Sequence, residues 1–283
     1  MDQRIINLFD EYTHAPLTRK EFLTRLAKLT GSLTLAMSLL PLLENNYAQA
    51  ATVVDKDIKA EDITYPGAEG VTMKAFQARP EGKKLGTVLV IHENRGLNPH
   101  IKDVTMRVAQ AGYLAIAPDA LSPFGGTPAN EDEARALFAK LDAQQNLTNF
   151  LKGLEYLQKH KYGNRKTGCV GFCWGGALAS QLAVHSPDLD AAVAYYGRQP
   201  DAADVPKIKA ELLLHYGGLD ERVNAGIPAF EQALKASNVK YQLFVYEGAN
   251  HAFNNNTSPA RYNEAAANLA WERTLDLFKR KLK

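Results

Sequence analysis

The chain reads as an α/β protein with a mostly parallel central sheet and helices on both faces. Short apolar runs rich in Val, Leu, Ala and aromatic residues alternate with longer segments of helical periodicity, the pattern of repeated βα units. Three of these runs end in glycine-bearing turns that lead to Cys173, Asp220 and His251. Open α/β sheets place their sites at the carboxyl ends of strands. A length of 283 residues with 46% hydrophobic content suffices for one large domain with a buried core.

Taken in order, residues 1–50 stand apart from the catalytic domain expected over 51–283. Thr18-Arg19-Lys20-Glu21-Phe22-Leu23 resembles a twin-arginine export motif, with Lys20 in the place of the second arginine. An apolar stretch from Leu33 to Leu43 follows, interrupted by Thr34, Ser38 and Pro41. Tyr47-Ala48-Gln49-Ala50-Ala51 then supplies an A-x-A cleavage pattern. Charged region, apolar region and small-residue site come in the order of a signal peptide. The expectation is therefore export to the periplasm. The alternative is a cytoplasmic protein whose uncleaved helical extension packs on the domain or on a partner. The apolar run is short for a stable membrane span.

Ile63–Tyr65 and Met73–Ala78 are expected to form an antiparallel hairpin at one edge of the sheet. Further strands are expected at Val88–Glu93, Tyr113–Ala117, Gly168–Gly171, Ala191–Tyr196, Glu211–Tyr216 and Gln242–Tyr246. Helices are expected at Asn98–Ala111, Asn130–Lys140, Asn146–His160, Ala177–Val184, Gly226–Ser237 and Pro259–Arg280. No internal repeat appears.

The most informative stretch is Gly171-Phe172-Cys173-Trp174-Gly175-Gly176. A short apolar segment precedes it and a good helix-forming segment follows. Strand, glycine-flanked turn and helix are the context of a nucleophile elbow, here with cysteine where serine is usual. The flanking glycines let strand and helix approach closely around a strained residue. The helix N-terminus behind the sulfur favours a thiolate. Downstream, Asp220 follows the apolar run Glu211–Tyr216 and a glycine turn, and His251 follows Tyr241–Tyr246. Nucleophile, acid and histidine thus come in the order of an α/β-hydrolase triad. His160 and His185 read as surface residues, and His215, inside an apolar strand, as packing.

These residues resemble the dienelactone hydrolase family, the carboxymethylenebutenolidase-like branch of the α/β-hydrolase superfamily. The shared patterns are the G-x-C-x-G-G elbow, the acid turn Gly217-Gly218-Leu219-Asp220 and the histidine loop Gly248-Ala249-Asn250-His251-Ala252-Phe253. The similarity also covers Thr87–Gly96, Ala117-Pro118-Asp119 and Ala194-Tyr195-Tyr196-Gly197, and spans roughly residues 60 to 280. The resemblance implies that Glu93 pairs with the resting Cys173 thiol and is displaced when substrate binds. A carboxylate that keeps the proton on sulfur would protect it from oxidation.

An elbow of this kind implies an oxyanion hole made by backbone N–H groups, one from Trp174 and one from the loop after the first parallel strand, at Asn94. The expected reaction is hydrolysis of an ester or lactone through a thioester on Cys173. His251, oriented by Asp220, activates the system and helps water cleave the thioester. Phe124, Tyr196 and Phe253, together with Trp174, are candidates for an apolar acyl pocket. The best-known members of the family hold a substrate carboxylate with two arginines. Here neither Pro118–Gly126 nor Ala252–Thr257 contains one, so neutral esters and lactones enter the range of substrates. Thioesterase or acyltransferase chemistry on the same triad is an alternative, as is a non-catalytic binding protein on a hydrolase scaffold.

Lys and Arg number 33 against 31 Asp and Glu, and no basic cluster interleaved with aromatics appears, so no nucleic-acid partner is expected. The expected partner is a small molecule, and the sequence sets no oligomeric state. With no C-x-x-C pair, H-E-x-x-H or Walker-type loop, no metal or other cofactor is expected. Cys169 and Cys173 are the only cysteines; Cys169 is expected to face the core, too close in sequence to bridge to Cys173.

Overall fold

Val88 and Val90 alternate with Leu89 and Ile91 along one strand, and that alternation sets the layers of the molecule. In the computed structural model, described over residues 1–14, 17–50 and 57–283, the strand is β3 (Leu85–Ile91) of one eight-stranded sheet. The others are β1 (Ile58–Pro66), β2 (Thr72–Pro80), β4 (Leu114–Pro118), β5 (Gly163–Phe172), β6 (Ala191–Tyr195), β7 (Glu211–Gly217) and β8 (Tyr241–Tyr246). Their spatial order is β1-β2-β4-β3-β5-β6-β7-β8. β1 and β2 form the expected edge hairpin, and β2 joins β4 antiparallel; every other pairing is parallel.

Helices α4 (Pro99–Gln110) and α10 (Glu264–Leu282) share one face. There Ile101, Val104, Val108, Leu277 and Phe278 cluster with Val88 and Val90. Leu89 and Ile91 face the opposite core, built with α6 (Ala143–Gln158), α7 (Trp174–His185) and α9 (Ile227–Ala236). Alternate residues of a central strand thus feed two apolar layers, which is why the parallel strands read as continuous apolar runs. Short helices α5 (Glu131–Phe138) and α8 (Glu221–Asn224) lie in the loops after β4 and β7.

Helix starts differ from expectation where a cap decides them. α6 begins three residues earlier because Asp142 accepts from Gln145 N at 2.7 Å. α10 begins later, because Asn263 caps Ala266 N. α7 begins at Trp174, directly after the cysteine.

The described part of residues 1–50 holds three α-helices, α1 (Gln3–His14), α2 (Arg19–Thr30) and α3 (Leu33–Leu43), and a short 3-10 turn at Tyr47–Gln49. Ile5, Leu8, Phe9, Tyr12, Phe22, Leu26, Leu40 and Leu43 form a third apolar core, separate from the two layers at the sheet. Thr18 and Glu21, both within the export-like motif, make a reciprocal capping box at the start of α2. Ala51, the expected first residue after cleavage, lies outside the described residues. Among the described residues no single helix is long and apolar enough to cross a membrane; α2 and α3 pass such a test only as a pair bent by 111°.

The elbow is tight because backbone meets backbone. A Cβ on Gly175 would lie 2.5 Å from the carbonyl oxygens of both Ile91 and His92, and one on Gly171 would lie 1.9 Å from Gly175 O. Backbone at that distance cannot step aside as a side-chain tip can. Gly175→Ala should therefore cost about 3 kcal/mol or more of stability, or prevent folding. A urea denaturation midpoint equal to that of wild type would contradict this packing.

Candidate active site

Cys173 sits between β5 and α7 with φ 55° and ψ −114°, a region costly for a residue with a side chain. Its N–H donates to Tyr195 O at 3.0 Å, and its carbonyl accepts from Ala177 N at 3.1 Å. The sulfur is thereby fixed at the N-terminal end of α7, where orphan N–H groups and the helix dipole favour negative charge. The Trp174 N–H belongs to that first turn. Its indole stacks on His92, at 5.4 Å between ring centroids, and meets Phe138 and Phe150 edge-on. Cys169 is fully buried and is a free thiol like Cys173; burial pushes its pKa up to about 12.

Asp220 and His251 meet across the ends of β7 and β8. The His251 Nδ1–Asp220 Oδ2 distance is 2.5 Å, and Asp220 Oδ1 also accepts from Val223 N. Both side chains are about 95% buried. Burial pushes the His251 pKa down, but the carboxylates of Asp10 and Asp220 outweigh it and hold it above its ordinary value. Its Nε2 is buried with no hydrogen-bond partner among the described residues.

The thiol's own partner comes from an element outside the expected catalytic domain. His14, the last residue of α1, places Nε2 3.0 Å from Cys173 Sγ. Its Nδ1 faces Asp10 O at 2.8 Å and Asp10 Oδ1 at 3.3 Å. Its ring meets that of His251 edge-on, at 4.7 Å between centroids. Burial pushes the His14 pKa down, but Cys173 and Asp10 more than reverse this and leave it at about 9. Asp10 also reaches Arg222 at 3.2 Å and Arg261 at 3.8 Å. Its carboxyl is held well below the usual range against the pull of burial, chiefly by His251, His14 and Arg261.

Glu93 is buried at the end of β3, but its carboxylate accepts from Asn255 Nδ2 at 2.9 Å and from Tyr196 OH at 3.4 Å. No hydrogen bond joins it to Cys173 among the described residues, so the expected Glu93–thiol pair is replaced here by the His14–thiol pair. Glu93 and Cys173 do line one small pocket together. Asn94 uses its side chain to hold the cap, donating from Nδ2 to Thr13 O at 2.7 Å.

A cavity of about 730 Å³ opens beside the sulfur, between the cap and the sheet. Tyr196, Trp174, Phe138 and Leu17 give it apolar wall. Phe124 is a correction to the expected pocket: it stands 41% exposed on a turn and lines neither pocket that contains Cys173. Phe253 is another, because it is fully buried among Tyr195, Tyr196 and Tyr246 as core. Arg135, Arg198 and Arg222 line the cavity instead, from positions the family pattern does not mark. Arg135 donates to Tyr12 O at 2.5 Å and Arg222 pairs with Asp10, whereas Arg198 is exposed and makes no ion pair among the described residues.

His215 is packing, as expected: it is buried against Tyr195 and bonded to Tyr246 OH, and burial pushes its pKa down to about 3. His185 is exposed as expected, while His160 is half-buried against Tyr156 and Tyr162. Sγ of Cys173 and one nitrogen each of His14 and His251 lie within 4.8 Å of one another; so do oxygens of Asp10 and Asp220 and a nitrogen of His251. Sulfur and imidazole can ligate zinc, and the same arrangement can pass protons to and from sulfur.

Known proteins share this framework. The model of the dienelactone hydrolase family matches residues 73–282. A protein of Escherichia coli O157:H7 named "Putative carboxymethylenebutenolidase" is 35% identical over 252 residues, covering 81% of this chain and 91% of its own. One of the same name from Saccharolobus solfataricus is 33% identical, over 75% of this chain and 96% of its own. A Klebsiella pneumoniae structure described as that of a "Putative Dienelactone Hydrolase" superposes with a TM-score of 0.71 at 31% identity, over 79% of this chain and 99% of its own. The family match begins at residue 73, so α1–α3 lie outside it.

The raised His14 pKa gives the cap a pH signature. An imidazole whose folded pKa lies above its ordinary 6.5 contributes stability that is full below about 6.5 and lost as pH rises through about 9. The difference in Tm between wild type and His14→Gln should therefore be largest near pH 6 and shrink toward about pH 10. A difference that is flat or grows across that range contradicts the assignment.

Proposed function

The chain belongs to the dienelactone hydrolase family and is a hydrolase of esters or lactones; on that premise we propose that it works through Cys173, with Asp220 and His251 completing the triad and a thioester as the intermediate. The observation that carries this reading is the 2.5 Å His251–Asp220 contact beside a sulfur fixed in an elbow. The thiol gives up its proton to an imidazole beside it and Sγ attacks the acyl carbon. The oxyanion that forms is met by the Trp174 N–H and by the Asn94 N–H. Collapse returns that proton to the leaving oxygen, expels the alcohol and leaves a thioester on Cys173. His251, kept in one tautomer by Asp220, takes a proton from water as that water attacks the thioester. Carbon–sulfur cleavage then releases the acid and restores the sulfur. In this reading Glu93 acts on the thiol only when Asn255 and Tyr196 release its carboxylate.

The 730 Å³ cavity suits a small substrate. Tyr196, Trp174 and Phe138 favour an apolar acyl or leaving group, and Arg198 favours an anionic end. The substrate reading is a small ester or lactone whose carboxylate, where it has one, meets Arg198 rather than the arginines of the best-known members. Export with cleavage near Ala51 is the alternative to a retained cap: it would remove His14 from the site, and a native mass beginning near Ala51 would reveal it.

Hydrolysis of p-nitrophenyl acetate tests the triad. Cys173→Ala should abolish turnover, and Asp220→Asn should lower kcat by roughly 10²- to 10⁴-fold. Unchanged hydrolysis by Cys173→Ala sinks the scheme. Arg198→Ala should raise KM about tenfold for a carboxylated p-nitrophenyl ester and leave KM for the neutral acetate alone. Equal effects on both esters would remove Arg198 from substrate recognition.

A further inference from the structure

We infer that His14, from the N-terminal cap, is a catalytic residue of this hydrolase: the imidazole that takes the Cys173 thiol proton. The inference rests on the reading of Cys173 as nucleophile. It goes beyond that reading by giving the site a second imidazole from outside the part of the chain that the family match covers.

Three geometric observations carry it. His14 Nε2 is the hydrogen-bond partner of Sγ, at 3.0 Å. Asp10 stands behind the ring on the same helix, with its carbonyl at 2.8 Å and its carboxylate at 3.3 Å from Nδ1. Cys173, His14 and Asp10 thus repeat the nucleophile–base–orienter arrangement. His251 Nε2 meanwhile has no hydrogen-bond partner among the described residues, and its ring stands edge-on to that of His14. The sulfur has two imidazoles beside it and bonds to the one from the cap.

The cap is built to hold that contact. Tyr12 OH donates to Asp132, Arg135 donates to Tyr12 O, Gln3 Nε2 donates to Asn250 Oδ1 at 2.6 Å, and Asn94 holds Thr13 O. Behind these, Phe9 and Tyr12 pack against Phe22. The 730 Å³ cavity is lined by both His14 and Cys173, so substrate and cap can occupy the site together.

The steps divide between the two imidazoles. The S–H bond gives up its proton to His14 Nε2 before substrate arrives, in keeping with the raised proton affinity of that ring, while Nδ1–H stays hydrogen-bonded to the Asp10 carbonyl oxygen. Sulfur bonds to the acyl carbon, and on collapse the leaving alkoxide takes the proton from His14. In the second half, His251 Nε2 takes a proton from water as the new C–O bond forms and the C–S bond breaks. That proton returns to the departing sulfur. Ester and water become acid and alcohol, and both imidazoles end as they began. The charged and titratable groups that line the same pockets as His14 are Asp10 and Glu11 on its own helix, Glu93 and Arg95 after β3, Asp132 and Arg135 on α5, Arg198 after β6, Asp220 after β7, Glu221 and Arg222 on α8, and His251 and Arg261 on the loop after β8.

The test uses the full-length chain, with p-nitrophenyl acetate turnover and iodoacetamide alkylation measured against pH. The expected result for His14→Ala is a kcat lower by about 100-fold, with partial rescue by added imidazole. Alkylation of Cys173 near pH 7 should be slower by about tenfold, its pH profile displaced upward. A purely structural role for His14 would give neither the rescue nor the displaced profile. His14→Gln, which keeps a polar group at the site, should share the displaced profile and so guards against misfolding of the alanine variant. Wild-type kcat and an unmoved alkylation profile in both variants overturn the inference, as does faster turnover, which would make the cap an obstruction. Activity retained by Cys173→Ala would instead overturn the parent reading, so the two failures are distinguishable.

Discussion

The site depends on one backbone conformation, that of Cys173 at φ 55° and ψ −114°. It turns the chain from β5 into α7 within a single residue and leaves the sulfur at the head of a helix. The conformation is costly and persists because its surroundings over-determine it. Gly171 and Gly175 allow backbone to lie where a Cβ would clash, and the Cys173 N–H is tied to Tyr195 O on the neighbouring strand. The parallel pairing of β3, β5 and β6 in turn brings the loop after β3 and the end of β6 beside the elbow. Glu93, Asn94 and Tyr196 reach the sulfur's neighbourhood through that register rather than through proximity in sequence.

Around this point the electrostatics are organised by carboxylates behind imidazoles. Asp220 stands behind His251 and Asp10 behind His14, with Arg222 and Arg261 balancing Asp10. Each carboxylate raises the proton affinity of its ring against the pull of burial. The two rings stand edge-on at 4.7 Å between centroids, so the proton affinity of each depends on the charge of the other. The acidic partners come from opposite sides, one from the sheet and one from the cap. Displacing α1 would therefore take away His14 together with Asp10, one of the two carboxylates that raise the proton affinity of His251.

The sheet was legible because its signals are local. The apolar runs at residues 88–91, 191–195 and 211–216 fall within the observed strands, and the elbow, acid turn and histidine loop each lie where the strand pattern places them. Helix starts were less legible, because a cap such as Asp142 or Asn263 acts through one hydrogen bond that periodicity does not register. His14 was missed for a different reason. Its segment carries the charged, apolar and small-residue motifs of a signal peptide in order, and Thr18, Glu21 and Phe22 serve a capping box and a small apolar core as well as they match an export motif. The apolar positions Ile5, Leu8, Phe9 and Tyr12, at helical spacing on α1, were the available signal. Phe124 and Phe253 show the converse error: aromatic residues near motifs in sequence went to the surface and the core, while arginines from three separate elements reached the cavity.

The most direct measurement of the central claim is the mass of the enzyme caught during turnover. His251→Ala, mixed with p-nitrophenyl acetate and quenched early, should carry one acetyl group on the peptide containing Cys173, because the thioester forms through His14 and its hydrolysis lacks a base. Turnover without any acyl adduct on Cys173, or an adduct on another residue, would contradict the account.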